Sequence, residues 1–123
     1  MEIDNRDELG LLAWQWANYP ATHRNRLNLT LHALTAPLFL LGTVAVLAAP
    51  FIAWQLAPAG LLGVLVAFVA QGRGHKQERT PSRPFRGPFD VFVRIFVEQW
   101  VTFPRYILSG EFGKAWGTRA TVS

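Results

Sequence analysis

The longest apolar run in the chain is a stretch of 38 residues, from 33 to 70, that contains no charged side chain. A membrane-spanning helix needs about 20 apolar residues at a rise of about 1.5 Å each, so this run is long enough for two crossings. Residues typical of a turn or of a membrane interface lie midway along it: Pro50, Trp54, Pro58 and Gly60. The pattern predicts a transmembrane helical hairpin over residues 22–71. A buried helical pair in a soluble domain is the alternative, but such a pair would normally show a polar face.

The segment before the hairpin has the spacing of an amphipathic helix. Its large apolar residues recur at i, i+3, i+7 and i+10, as Leu9, Leu12, Trp16 and Tyr19. Asn5 is placed to cap this helix, and Pro20 is placed to end it. Because the segment is too short and too polar at its start to cross a bilayer, we expect residues 1–20 to form an N-terminal interfacial helix.

The segment after the hairpin begins with a connector and continues as a second amphipathic region. Three prolines fall between residues 80 and 88, so residues 72–88 are predicted to be a loop that carries metal-site residues and a proline-rich connector. Residues 89–117 are predicted to be helical, with one apolar stripe formed by Phe92, Ile95, Phe96, Trp100 and Phe103. Asp90, Arg94 and Glu98 stand at i, i+4 and i+8 as an ion-pair ladder. These charges favour an interfacial helix over a lipid-facing span.

Together these elements predict an all-α membrane protein, in which flanking amphipathic or interfacial helices accompany a transmembrane helical hairpin. A chain of 123 residues, half of them hydrophobic, suits a single membrane domain over residues 1–123. The chain has no cysteine, which excludes disulfides, thiolate metal sites, iron–sulfur clusters and catalytic thiols. Any metal site must therefore use nitrogen and oxygen ligands.

The distribution of charge predicts the orientation of the hairpin. The turn of the hairpin contains no basic residue, whereas several lie near its two ends. These are Arg24, Arg26, Arg73, Lys76, Arg79, Arg83 and Arg86. By the positive-inside rule, both ends of the hairpin and both termini face the cytoplasm. Because juxtamembrane basic residues serve topology and anionic lipid headgroups, we expect a lipid bilayer and no nucleic acid as partner, despite the net charge of +4. The acidic first eight residues do not have the pattern of a signal peptide.

The three histidines of the chain flank the hairpin: His23 and His32 precede the apolar run and His75 follows it. Since a hairpin brings its two ends together, His32 and His75 are expected at a similar depth, where they suggest a metal site. On one unbroken helix, His23 and His32 would lie on opposite sides with a rise of about 13.5 Å between them, too far for one ion. Either the chain bends between His23 and Asn28, or His23 lies in an outer layer of the site.

Two polar residues accompany these histidines. Asn28 shares a helical face with His32, and Glu78 follows His75 by three residues. Each also has a simpler interpretation: Asn28 can bond neighbouring backbone, and Glu78 can pair with nearby basic residues. The candidate catalytic residues are His23, Asn28, His32, His75 and Glu78, and the candidate metal ligands are His23, His32, His75 and Glu78. If only two histidines bind, Glu78 or Glu98 would complete a set that suits iron, manganese or zinc.

At these residues the chain resembles a known membrane family. The residues that carry the resemblance are, in order, Tyr19, His23, Asn28, His32, Pro37, Gln71, Gly74, His75, Glu78 and Pro81. Over about residues 14–113 the chain resembles the family typified by the fungal 2-hydroxy fatty acid dioxygenase of α-oxidation, and its bacterial members in particular. The resemblance implies an iron(II)-dependent enzyme of the bacterial inner membrane that uses O₂ to shorten a long-chain 2-hydroxy fatty acid by one carbon. It also implies that His23, His32 and His75 are needed for activity.

Two other classes of protein fit the same pattern of residues. One is a small membrane scaffold without enzymatic activity, whose basic surface binds anionic lipid or a partner protein. The other is a lipid hydrolase that uses zinc-bound water. Because a two-helix hairpin is a thin structure, a homo-oligomer is possible in each case.

Overall fold

The computed structural model describes the backbone of residues 5–122 and the side chains as far as residue 117. Within these residues every regular element is a helix. The chain divides into two compact units. The hairpin unit comprises residues 25–78, and the terminal unit comprises residues 1–24 and 79–123.

The hairpin unit consists of two long helices, α3 (Arg26–Ala48) and α4 (Leu56–His75). The side chain of Asn25 caps α3 by accepting hydrogen bonds from the backbone N–H groups of Leu27 and Asn28, at 2.9 and 3.2 Å. Both helices are long and apolar enough to cross a membrane, which confirms the prediction of two such helices.

The helix α4 extends further than the sequence indicated. The predicted hairpin ended at residue 71, with a loop from residue 72, but α4 continues through His75. Arg73 and His75 lie in its last turn, where basic side chains interact favourably with the helix dipole. No proline interrupts the chain until Pro81. His75 is therefore held on a helix rather than on a loop.

Small residues line the contact between α3 and α4. A Cβ atom added to Gly42 would lie 2.5 Å from the carbonyl oxygen of Gly60, and one added to Gly74 would collide with the Asn28 side chain. Because glycine has no side chain, the two backbones can approach closely at these positions, as is common where helices pack in membranes. Between these two points Gln71 donates a hydrogen bond of 3.0 Å to the Thr35 hydroxyl. The pairs run in opposite order along the two helices, so α3 and α4 are antiparallel.

The outer surface of the hairpin unit is apolar. Large hydrophobic side chains are widely exposed along both helices, including Leu34, Leu41, Leu47, Leu62 and Val69. Leu41, for example, is 69% exposed. In water such a surface would be unfavourable, whereas the hydrocarbon of a bilayer would solvate it.

The terminal unit is built from shorter helices. They are α1 (Arg6–Leu9), α2 (Leu11–Thr22), α5 (Pro88–Val97), a π-helical segment (Glu98–Thr102), α6 (Phe103–Leu108) and α7 (Glu111–Val122). The predicted single helix over residues 1–20 is interrupted by Gly10, whose φ of 84° favours glycine. Residues 1–4 of that prediction lie outside the described residues. Pro20 lies inside α2 and not at its end, because a proline in the last turn removes only one backbone bond before the helix stops at Thr22.

An ion-pair cluster joins the two halves of the terminal unit. Arg6 binds both carboxylate oxygens of Asp90, at 2.6 and 3.1 Å, and Arg94 lies 3.6 Å from the same carboxylate. The guanidinium groups of Arg6 and Arg94 also lie 4.8 and 4.9 Å from the ring centroid of the buried Trp14. The predicted Asp90–Arg94 step of the ladder is therefore present.

The π-helical segment follows α5 directly. The backbone N–H of Phe103 bonds to the carbonyl of Glu98, one residue further back than in an α-helix, just before Pro104, which has no N–H of its own. The Thr102 hydroxyl donates to the side-chain oxygen of Gln15, whose amide donates to the carbonyl of Arg94 at 3.0 Å. These contacts with α2 fix the segment that carries Glu98.

Candidate metal centre

The hairpin unit brings two of the three histidines together. His32 lies on the second turn of α3 and His75 is the last residue of α4, so the antiparallel arrangement places them at the same end of the hairpin. Their ring centroids are 5.0 Å apart and the rings are nearly perpendicular, at 88°. His32 is fully buried, whereas His75 is half-buried.

The orientation of the His32 imidazole follows from one hydrogen bond. Its Nδ1 lies 3.0 Å from the carbonyl oxygen of Asn28, one helical turn earlier. Because a carbonyl oxygen can only accept, Nδ1 must carry the proton, and the neutral ring then has its lone pair on Nε2. A backbone carbonyl on the other ring nitrogen is the usual way in which proteins orient a histidine that binds a metal.

His23, in the terminal unit, is oriented in the same way. It follows α2 as its C-cap residue, and its Nδ1 lies 2.9 Å from the carbonyl oxygen of Tyr19. The Thr22 hydroxyl lies 2.9 Å from the same Nδ1, but it donates to the carbonyls of Asn18 and Tyr19 and can accept from the ring, so the lone pair of the neutral imidazole is again on Nε2. Residues 23–25 are not helical, so α2 and α3 do not form one unbroken helix through His23.

Glu98 is the carboxylate beside His23. The Nε2 atom of His23 lies 3.4 Å from Oε2 of Glu98, which is longer than the 2.7–2.9 Å typical of a charged N–H···O bond. Two ligands that bind one ion at about 2.1 Å are about 3.0 to 3.4 Å apart in octahedral or tetrahedral geometry. The separation of these two atoms therefore suits two ligands of a common metal.

Tyr19 supports both of these side chains. Its ring stacks on the His23 imidazole with centroids 3.6 Å apart, and its hydroxyl donates a hydrogen bond of 2.7 Å to Oε2 of Glu98. Burial, reinforced by the negative charge of Glu98, raises the pKa of the Tyr19 phenol well above its usual value of 10.0. The phenol therefore stays protonated and remains a hydrogen-bond donor to the carboxylate at neutral pH.

The candidate metal ligands form a group of four, His32 and His75 in the hairpin unit and His23 and Glu98 in the terminal unit, and each residue offers one ligand atom. Three imidazole nitrogens and one carboxylate oxygen suit iron, manganese or zinc. Within the described residues, all three histidines named from the sequence belong to this group.

Glu78, which the sequence placed among the ligands, does not belong to the group. Its Oε2 accepts hydrogen bonds from the Asn28 side chain at 2.8 Å and from the backbone N–H of Asn25 at 2.9 Å. The carboxylate of the group is instead Glu98, the alternative that the sequence offered. Asn28 is fully buried and supplies the carbonyl that orients His32. It is not a member of the group itself.

Comparison of the chain with protein-family models, with curated proteins and with solved structures found no match. The chemistry of the candidate site must therefore be argued from its own residues.

Proposed function

We propose that this protein is an iron(II)-dependent dioxygenase of the membrane surface, which shortens long-chain 2-hydroxy fatty acids by one carbon with O₂. The proposal rests mainly on one observation, that the imidazoles of His23 and His32 are hydrogen-bonded in the same way. Each has its Nδ1 on a backbone carbonyl, so that each presents Nε2 as a ligand atom. The resemblance of the residue pattern to the fatty acid dioxygenase family supports the choice of reaction.

The donor set fits iron(II). Neutral imidazoles and a carboxylate are the ligands found in non-haem iron oxygenases, and no thiolate is present to favour zinc. When bound, iron(II) would supply open coordination positions to a 2-hydroxy carboxylate and to O₂. The protein's own residues hold three of the ligands in place: Tyr19 fixes Glu98, and backbone carbonyls orient the imidazoles of His23 and His32.

The surroundings of the site suit a lipid substrate. Basic side chains that neighbour the histidines in sequence can attract the substrate carboxylate, and the candidates are Arg24, Arg26, Arg73 and Lys76. The apolar outer surface of α3 and α4 belongs in hydrocarbon, where the acyl tail of a fatty acid also lies. With the basic ends of the hairpin on the cytoplasmic side of a bacterial inner membrane, the substrate would be taken from that leaflet.

The first experiment is to purify the protein anaerobically in a mild detergent and to measure its metal content beside His32→Ala and His75→Ala. We expect near-stoichiometric iron in the unmodified protein and its loss in both variants. Gln77→Ala is the matched control, because Gln77 is exposed and lies two residues from His75. Oxygen uptake with a 2-hydroxy fatty acid, and formation of the acid one carbon shorter, then test the reaction.

Other results would favour the other two classes. Stoichiometric zinc without oxygen uptake would support a lipid hydrolase. Folded protein that binds no metal after reconstitution would overturn the dioxygenase and leave a lipid-binding or partner-binding scaffold.

A further inference from the structure

A chain of hydrogen bonds connects the backbone of His75 to the imidazole of His32 within the hairpin unit. The backbone N–H of Glu78 donates to the carbonyl of His75 at 3.1 Å, and the Glu78 carboxylate accepts from the Asn28 side chain at 2.8 Å. The carbonyl of Asn28 in turn accepts from Nδ1 of His32 at 3.0 Å. Each step is short enough for an ordinary hydrogen bond. The chain thus couples the end of α4 to the start of α3 at the histidine pair.

Two further contacts tighten this connection. The same oxygen of Glu78 accepts the backbone N–H of Asn25, the residue that caps α3. On the other side, Gly74 packs against Asn28 so closely that a Cβ atom there would collide with its side chain. Asn28 is therefore held between Glu78 and the backbone of α4.

We propose that Glu78 is a positioning residue, which sets the separation of His32 and His75 by binding Asn28, and that it is not a metal ligand. Asn28 contributes to the same positioning, because its side chain bonds to Glu78 and its backbone carbonyl bonds to His32. Hydrogen bonds of this kind typically alter metal affinity by about 10- to 100-fold. The inference rests on the proposed metal site and assigns the role of two residues that the sequence placed within it.

The test is titration of the metal-free full-length protein in detergent with Co(II) alone, followed by its visible absorption, for Glu78→Ala, Glu78→Gln and Asn28→Ala. Glutamine keeps an oxygen that can accept from Asn28 but has no charge to offer a metal. We expect Glu78→Ala and Asn28→Ala each to weaken Co(II) binding by about 10- to 100-fold. Glu78→Gln should stay within about threefold of the unmodified protein, and the Glu78→Ala, Asn28→Ala double variant should be no weaker than either single variant. Circular dichroism confirms that each variant is folded, and Gln77→Ala is the control.

Each contrary result identifies what has failed. If Glu78→Gln weakens binding as much as Glu78→Ala does, the carboxylate charge matters and Glu78 is a ligand, which overturns the inference alone. Unchanged binding in folded Glu78→Ala overturns it as well. If the unmodified protein binds no Co(II), the proposed metal site itself fails, and the comparison of variants is not needed to reach that conclusion.

Discussion

Glu98 and Tyr19 form the hydrogen bond that places a carboxylate beside His23. The Tyr19 hydroxyl lies 2.7 Å from Oε2 of Glu98, and the same oxygen lies 3.4 Å from Nε2 of His23. Glu98 is the first residue of the π-helical segment, and its i, i+4 neighbour Arg94 is engaged with Asp90 and with the carbonyls of Arg83 and Pro84. Of the two carboxylates in the predicted ladder, Glu98 therefore lies beside His23 and Asp90 lies beside Arg94.

If iron binds as proposed, replacement of Glu98 by glutamine is expected to abolish its binding. The substitution keeps the size of the side chain but eliminates its charge. Residues that only support a ligand typically alter metal affinity by about 10- to 100-fold, so loss of a ligand itself should weaken iron binding by more than that. Iron content after anaerobic purification measures the effect. Glu111→Gln is the control, because Glu111 pairs with Lys114 and is not a member of the ligand group. Full iron occupancy in Glu98→Gln would remove Glu98 from the ligand set.

Replacement of Tyr19 by phenylalanine separates two functions of the side chain. The ring that stacks on His23 is kept, whereas the hydroxyl that bonds to Glu98 is lost. A hydrogen bond to a charged group contributes about 1.5–3 kcal/mol, so the thermal stability should fall, and iron affinity should fall by about tenfold. Thermal unfolding and iron titration measure the two effects. Unaltered iron affinity would show that the hydroxyl does not position Glu98.

The two glycines near the end of α4 offer a matched pair of substitutions. A Cβ atom at Gly72 meets nothing within 4 Å, whereas one at Gly74 collides with Asn28. Both positions are helical, so alanine should add up to about 1 kcal/mol of stability from helix propensity at Gly72. At Gly74 overpacking should instead cost about 1–3 kcal/mol and weaken metal binding. Unfolding in denaturing detergent compares the two variants, and equal behaviour would contradict the close approach of α3 and α4.

The stability of the terminal unit should depend on acid through Asp90. The hydrogen bonds from Arg6 are the main cause that lowers the pKa of Asp90 from 3.8 to about 2. A lowered pKa means that the native state holds the charged form more strongly than the unfolded chain does. The stabilisation is therefore complete above about pH 4 and is lost as the pH falls through about 2.

Asp90→Asn tests this acid dependence. The variant should be less stable than the unmodified protein at pH 6, and the difference should shrink between pH 4 and pH 2. Thermal unfolding in detergent across that range provides the measurement. A difference that stays constant as the pH falls would mean that Asp90 titrates normally.

A charge on the outer surface of α3 should prevent membrane insertion. Leu41 is 69% exposed on a helix that is long and apolar enough to cross a membrane, and arginine near the centre of a span costs about 2.5–3.5 kcal/mol. Leu41→Arg should therefore reduce the amount of protein that resists alkaline extraction from membranes. Leu12→Arg, at an exposed position of α2, should have little effect. Equal yields of both variants would argue against a span at α3.

The long helices were predictable because their signal is local. A run of 38 uncharged residues with prolines and glycine at its middle has few alternatives to a helical pair, and the three histidines stood out because no others exist. The choice between Glu78 and Glu98 could not be made in this way. Glu78 is near His75 in sequence, but its carboxylate turns to Asn28 and the backbone of Asn25.

The position of Glu98 depends on contacts between distant segments. Tyr19, to which it bonds, is 79 residues away in sequence. The π-helical segment that begins at Glu98 is fixed by a hydrogen bond from Thr102 to Gln15, which is also a distant pair. No periodicity in residues 89–117 reveals these partners, so sequence could offer Glu98 only as an alternative ligand.

The close contact of Gly42 with Gly60 leaves no passage between α3 and α4. If the protein acts on fatty acids as proposed, the hydrocarbon tail of the substrate cannot enter the hairpin at this point. The contact between α3 and α4 at these glycines would therefore not act as a molecular ruler for the proposed acyl substrate.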